Sequence, residues 1–374
     1  MPNKLNIDDD LFVLEAVKAG KQVKVRNILS NGSYKDKDYR DSAGRTALHW
    51  ASEYGYLNII NLLLDSSWDV NLQDAKGQTP LHIACDHHNE VVSNCLISAG
   101  CDITIRDVTG NTPLHRAVHA NLEGIVSRLC DLGADVHAIN NNCWTVLHEA
   151  IRVGNRYVVR KIIAMGADVN AITEYRATPF STALFYYRIA QRNSYISLES
   201  IGKMLIDAGC RLSQFDGQWS PLLSTISICN SYLAALLLYH GCKIETPKSY
   251  GRSLLVDAFT RCDTNVVKLL VHCGYHLTFE EVEQCARRIP TFSRSFRRLA
   301  FSGIDTGTNG VKMMVWLQER ATNATSLSDI CRVSIRRSLN AGSGDTSILK
   351  NIHKLTLPRC MKEYLAIDEV ENVC

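Results

Sequence analysis

The chain lacks any long apolar run. No stretch of its 374 residues reaches membrane-spanning length, and residues 1–10 lack the apolar core of a signal peptide. It also lacks an excess of one charge. With 41 Lys and Arg against 38 Asp and Glu, the net charge is +3, which leaves no electrostatic footprint for nucleic acid or for a membrane surface. Its 14 cysteines include no C-x-x-C pair, and most sit within apolar helical stretches. Free thiols used as small core residues fit a reducing compartment, so a cytoplasmic or nuclear location is expected, with the sequons at Asn31 and Asn323 irrelevant. A Gly-rich phosphate loop, a G-x-S-x-G elbow and paired carboxylates outside solvated turns are missing as well. The expectation is a non-catalytic protein without cofactor or metal.

What is present is a period. Thr46-Ala-Leu-His49, Thr79-Pro-Leu-His82, Thr112-Pro-Leu-His115 and Thr145-Val-Leu-His148 follow one another at 33 residues, and Thr178-Pro-Phe-Ser181 continues the count. A period of this length marks a stacked helical repeat, in which each unit buries its apolar face only against its neighbours. Thr is placed to cap the first helix, Pro suits a first helical position where an N–H has no partner, and Gly ends the second helix in a left-handed turn. Asp74-Ala-Lys-Gly77-Gln-Thr79-Pro80-Leu81-His82-Ile-Ala84 and the tail Gly166-Ala-Asp-Val-Asn170 resemble the ankyrin repeat.

The pattern weakens but continues. Ser220-Pro-Leu-Leu223 follows Thr178 with extra length near 188–198, Ser253-Leu-Leu-Val256 restores the spacing, and Leu11–Gly20 fits a degenerate first repeat. About eight repeats are expected, and the fold class is all-α: an ankyrin-repeat solenoid followed by a small helical C-terminal domain. Residues 1–40 read as a capping segment with the degenerate first repeat, 41–279 as ankyrin repeats and 280–322 as a helical cap or linker. The basic run Arg287, Arg288, Arg294, Arg297, Arg298 lacks aromatics in stacking register and reads as a solvated helix face.

The motif histidines His49, His82, His115 and His148 suggest metal ligands at first sight. Neighbouring repeats are separated by about 10 Å, too far to share an ion. Hydrogen bonding within the turn is the reading for the imidazoles, and the cluster His82, Cys85, His87, His88 takes its positions from the repeat itself.

Two further segments carry the functional reading. Ser326 and Asp329 form a helix start of the capping-box kind, and Leu327, Ile330, Cys331, Ile335 and Leu339 make one apolar stripe over 326–340. Such a stripe must bury itself, either on the last repeat or on a partner. Leu327-x-x-x-Cys331-x-x-x-Ile335 resembles the elongin-binding segment of a SOCS box. Leu355-Thr-Leu357-Pro358 followed by Tyr364 and Leu365 resembles the cullin-choice segment of the same box, with Thr356 where that family usually has proline. The chain is thus similar to the ankyrin-repeat-and-SOCS-box family, with the box over 323–374.

This resemblance implies a substrate receptor of a cullin–RING ubiquitin ligase. Leu327, Ile330, Cys331 and Ile335 would bind elongin C, accompanied by elongin B. Leu355, Leu357, Pro358, Tyr364 and Leu365 would meet a cullin, cullin 5 or alternatively cullin 2, with its RING protein. Ankyrin repeats that only tether, with C-terminal helices merely capping the array, form the competing reading. The target, an unidentified protein, would meet one exposed residue per repeat just before the motif threonine: Arg45, Gln78, Asn111, Trp144, Ala177, Trp219 and Arg252. Trp50, Arg116 and Glu149, just after the motif histidine, would join them. Trp144 and Trp219 also suit the gaps between fingers.

Overall fold

The structure, a computed structural model, describes residues 8–32, 34, 36–189, 198–212, 220–244, 253–261, 264–273, 275, 281, 284 and 285. Among the described residues there are sixteen helices and no strand, as the all-α reading requires, and seven of the eight consecutive couples pack as pairs. None is long and apolar enough to cross a membrane. The chain divides into two compact units, the first ending at Thr182 and the second resuming at Ala183.

In the first unit the first helix of each pair is α1 (Asp8–Lys18), α3 (Ala47–Tyr54), α5 (Pro80–Asp86), α7 (Pro113–His119) and α9 (Val146–Val153). Their partners are α2 (Gln22–Ser30), α4 (Leu57–Asp65), α6 (Glu90–Ser98), α8 (Glu123–Asp131) and α10 (Arg156–Ala164). Each of α3, α5, α7 and α9 begins one residue after a motif threonine whose backbone is extended, with Pro at the first helical position in α5 and α7.

First helices pack on first helices, from α1 through α9, and second helices on second helices, from α2 through α10. The motif residues explain why. Leu48, Leu81, Leu114 and Leu147 are buried, and the alanines one turn on, Ala51, Ala84, Ala117 and Ala150, are small enough for close approach. Burying each leucine contributes roughly 2 kcal/mol. Second helices fill the other half of the core with Ile60, Leu63, Leu96, Ile125, Leu129, Val159 and Ile162.

A finger precedes each motif threonine. Successive fingers are tied by backbone bonds: Ala75 N–H donates to Ala43 O at 3.0 Å, Val108 to Lys76 O at 2.9 Å, Asn141 to Thr109 O at 3.0 Å and Glu174 to Asn142 O at 3.1 Å. An isolated bridge pairs Ile139 with Thr145.

The unit boundary falls within α11 (Pro179–Ile189), whose 11 residues exceed the seven of α5. The remainder of the expected insertion, 190–197, lies outside the described residues. In the second unit α12 (Leu198–Asp207) packs on α14 (Ser231–Tyr239), α14 on α16 (Thr264–His272), and α13 (Pro221–Ser227) on α15 (Leu254–Arg261). Ser220 Oγ accepts the Leu223 N–H to cap α13, and Asn230 Oδ1 accepts the Leu233 N–H to cap α14. A Cβ on Gly202 would come within 2.8 Å of Leu233 Cδ2, so the close crossing of α12 and α14 depends on that glycine. The cap at 280–322, apart from residues 281, 284 and 285, and the whole box at 323–374 lie outside the described residues.

Candidate functional site

The motif histidines bond within their turns and also beyond them. Thr46 N–H donates to His49 Nδ1 at 3.0 Å, with the threonine hydroxyl oxygen 2.8 Å from the same nitrogen. A backbone N–H can only donate, so Nδ1 carries no proton and the proton resides on Nε2. Nε2 then donates to a carbonyl 29 residues ahead: His49 to Gln78 O at 2.9 Å, His82 to Asn111 O at 3.2 Å, His115 to Trp144 O at 3.4 Å and His148 to Ala177 O at 3.2 Å. Each imidazole therefore staples its own cap to the next finger. Burial disfavours the charged ring, lowering all four below the usual histidine value and bringing His82 and His148 down to about 4.

The cluster around His82 is committed in the same way. His88 Nδ1 lies 3.0 Å from Ala120 O, and the fully buried Cys85 thiol, pushed up to about 12 by its burial, contacts Ser93 Oγ at 3.8 Å. Among the described residues no group of three His, Cys, Asp or Glu side chains has metal-binding geometry.

The column before the motif threonines is not exposed as expected. Gln78 is buried, whereas Arg45, Asn111, Trp144 and Ala177 are half-buried, as are Trp50, Arg116 and Glu149. For Arg45, Gln78, Arg116 and Glu149 the cause is a second column, seven residues after each motif threonine: Glu53, Asp86, His119 and Arg152. Arg45 pairs with Glu53 and lies 3.8 Å from Asp74, while Gln78 Nε2 donates to Asp86 Oδ2 at 2.9 Å. Arg116 bridges repeats, with Nε 3.0 Å from Asp107 Oδ2 and Nη1 3.4 Å from Asp86. Glu149 meets His119 of the preceding repeat at 2.6 Å and Arg152 of its own helix.

These contacts explain the acidities. Burial raises Asp86 above the usual carboxylate value despite the Arg116 charge. In Glu149 burial also pushes upward, but bonds and charges from Arg152 and His119 outweigh it and hold the carboxyl below its usual value.

Trp50 lies beneath two cations, Lys18 Nζ at 4.5 Å and Arg45 Cζ at 4.9 Å from its ring centroid, and its Nε1–H donates to Asp41 Oδ2 at 2.9 Å. Tyr54 and then Tyr56 continue the stack at 5.9 and 5.5 Å, and Tyr54 is exposed. Trp144 sits against His148, centroids 5.9 Å apart, so it does pack inside its own repeat. Asn111 is held by Thr109 and by Asn140 of the next finger.

Sequence reasoning missed Glu53, Asp86, His119 and Arg152. Aligning the repeats on the threonine and reading down position seven would have found them, since two helical turns return a side chain to the same face. Trp219 and Arg252 lie outside the described residues, as do Leu327, Ile330, Cys331, Ile335, Leu355, Leu357, Pro358, Tyr364 and Leu365.

Comparison with known families agrees with the geometry. Residues 13–107 and 92–173 match ankyrin repeats, in 3 copies, and residues 323–366 match the SOCS box. Together the matches span more than half of the chain. No curated protein matches it. Ankyrin repeats joined to a SOCS box are the composition of a cullin–RING ligase substrate receptor, and SOCS-box proteins serve as ligase adaptors, the box binding elongin B/C and a cullin in general. A helical array whose period is 33 residues, ending in a SOCS box, places this chain in the ankyrin-repeat-and-SOCS-box family.

Proposed function

We propose that the chain is the non-catalytic substrate-recognition subunit of an elongin B/C–cullin–RING ubiquitin ligase, with cullin 5 as its cullin. The observation that carries this reading is the SOCS-box match over 323–366 behind an ankyrin array. Leu327 is the proposed anchor in elongin C, with Ile330, Cys331 and Ile335 completing the stripe. Removing a buried anchor of this kind costs about 2 kcal/mol or more. The receptor performs no chemistry of its own. It raises the effective concentration of target lysines beside the charged ubiquitin-conjugating enzyme. The array holds the target for ubiquitination and degradation in the cytoplasm.

Co-expression with elongin B and C tests the proposal. The chain is expected to co-purify with both in stoichiometric amounts and to lose them when Leu327→Ala is combined with Cys331→Phe. A wild-type chain that folds and captures neither elongin would make it a tethering scaffold instead.

A further inference from the structure

Two equivalent loops of the first unit differ in character from those before them. Residues 132–139 and 165–172 each join a second helix to the next finger. They expose Leu132 (56%) and Ile139 (45%), then Met165 (40%) and Ile172 (44%), with Tyr175 (81%) on the adjoining finger. One repeat earlier the same places hold Ala99 and Arg106, and one before that Ser66 and Gln73. The difference has a structural counterpart. Arg40 donates to Gln73 O at 2.8 Å, Gln73 to Arg106 O at 3.0 Å and Arg106 to Ile139 O at 3.0 Å, forming a ladder of side chains that tie finger to finger. Ile139 and Ile172 occupy the same position and have nothing to donate, so the ladder stops where the apolar loops begin.

These loops lie side by side, since Glu174 N–H donates to Asn142 O at 3.1 Å between their fingers. The Ile139 backbone carries the last rung of that ladder, but neither isoleucine side chain is buried and neither can form a hydrogen bond. Contiguous exposed apolar side chains on a folded surface mark an interaction site. Their surroundings state the partner's charge. Asp135 Oδ1 accepts the His137 N–H at 2.8 Å, and Asp168 Oδ1 the Asn170 N–H at 2.8 Å. No cation among the described residues forms an ion pair with Asp135, Asp168 or Glu174. Lys161 pairs with Asp131 at 2.8 Å, and Arg106, which keeps its charge, points its guanidinium at the Ile139 carbonyl at 3.0 Å. The inner-helix column differs, because its charges already neutralise one another.

We propose that this ledge is where the receptor reads its target, and that the target presents a linear segment in which Lys or Arg alternates with Leu, Ile, Val or Phe. Apolar side chains of the segment cover Ile139, Ile172 and Tyr175 while its cations face Asp135, Asp168 and Glu174. The inference rests on the substrate-receptor reading.

A phage-displayed random peptide library panned on the full chain in complex with elongin B and C tests it. Enriched peptides are expected to be basic and apolar. They should lose about tenfold or more in affinity on Ile139→Ser with Ile172→Ser, and should weaken severalfold on Asp135→Asn with Asp168→Asn and at raised salt. Both double variants should keep wild-type melting and elongin binding, because the altered side chains are exposed. Acidic peptides, no enrichment, or peptides indifferent to both variants would overturn the ledge. Elongin capture is read in the same preparation. A chain that captures elongins but selects no such peptide loses this inference alone, whereas one that captures none loses the receptor reading, and panning then proceeds on the chain by itself.

Discussion

His82 Nε2 reaches the backbone carbonyl of Asn111 at 3.2 Å, across 29 residues of sequence and into the next repeat. The same ring accepts the Thr79 N–H at 3.2 Å, so one buried side chain satisfies a helix cap and a neighbouring finger together. Alanine at this position would leave both backbone groups buried without partners. His82→Ala is therefore expected to cost about 2–3 kcal/mol in urea denaturation. Amide exchange should also quicken in the finger containing Asn111. Exchange that stays at the wild-type rate there would show that the staple does not hold the finger.

Four buried neutral imidazoles make the array sensitive to acid. Each folded-state value lies below the ordinary 6.5, and His82 and His148 lie at about 4. On acidification the unfolded chain takes up protons first. Stability from these groups is thus fully present above pH 6.5 and declines as pH falls through 6.5 toward 4. For His82 and His148 the loss approaches about 3 kcal/mol each by pH 4. Urea midpoints measured between pH 7.5 and 4.5 should fall steeply below 6.5. His148→Gln, which cannot titrate, should flatten part of that fall while lowering stability at pH 7.5. A midpoint independent of pH across this range would contradict the neutral-imidazole assignment.

The repeat is legible in the sequence because its determinants are residue types at fixed places. Thr79, Pro80 and the glycines ending second helices each answer to a local backbone requirement. The His82 staple was only half legible, since its far partner is a carbonyl, which every residue possesses. Arg45 and Gln78 were misread as exposed for a different reason. Their partners Glu53 and Asp86 lie eight residues onward, and a charged residue looks solvent-facing until its counter-ion is placed. Ile139 and Ile172 carry no sequence signal of their own; only the ladder through Arg40, Gln73 and Arg106 shows what their position does elsewhere.

Two glycines with nearly the same backbone separate strain from contact. Gly77 (φ +69°) sits in a finger where an added Cβ would lie 2.9 Å from Val108 N of the next finger. Gly100 (φ +79°) ends a second helix, and its Cβ would meet nothing within 4 Å. Both alanine variants bear the left-handed conformation, about 1–2 kcal/mol. Only Gly77→Ala must also push adjacent fingers apart and lengthen the Val108–Lys76 backbone bond. Its melting temperature is expected to drop at least twice as far as that of Gly100→Ala. Equal drops would mean that finger contact adds nothing to the array.

The cullin arm is expected to be separable from the elongin arm, because the two proposed segments differ in sequence character. The proposed elongin stripe at 326–340 has the apolar spacing of a helical face with Leu327 as its proposed anchor, whereas the proposed cullin segment from Leu355 centres on Pro358, a residue that fixes its own backbone angle and disfavours helix. Changing Leu357 and Pro358 together to alanine removes an apolar contact and restores backbone freedom, while leaving the stripe's residues in place. Cullin 5 retained by the purified elongin complex is expected to fall about tenfold, with elongin C recovery unchanged. Thr356 stands where proline is usual, so one of two conformational restraints is already missing, and Thr356→Pro should strengthen cullin capture by pre-ordering the segment. Loss of elongin along with cullin in the double-alanine variant would show that the two segments fold as one, and would remove the case for a distinct cullin-reading element.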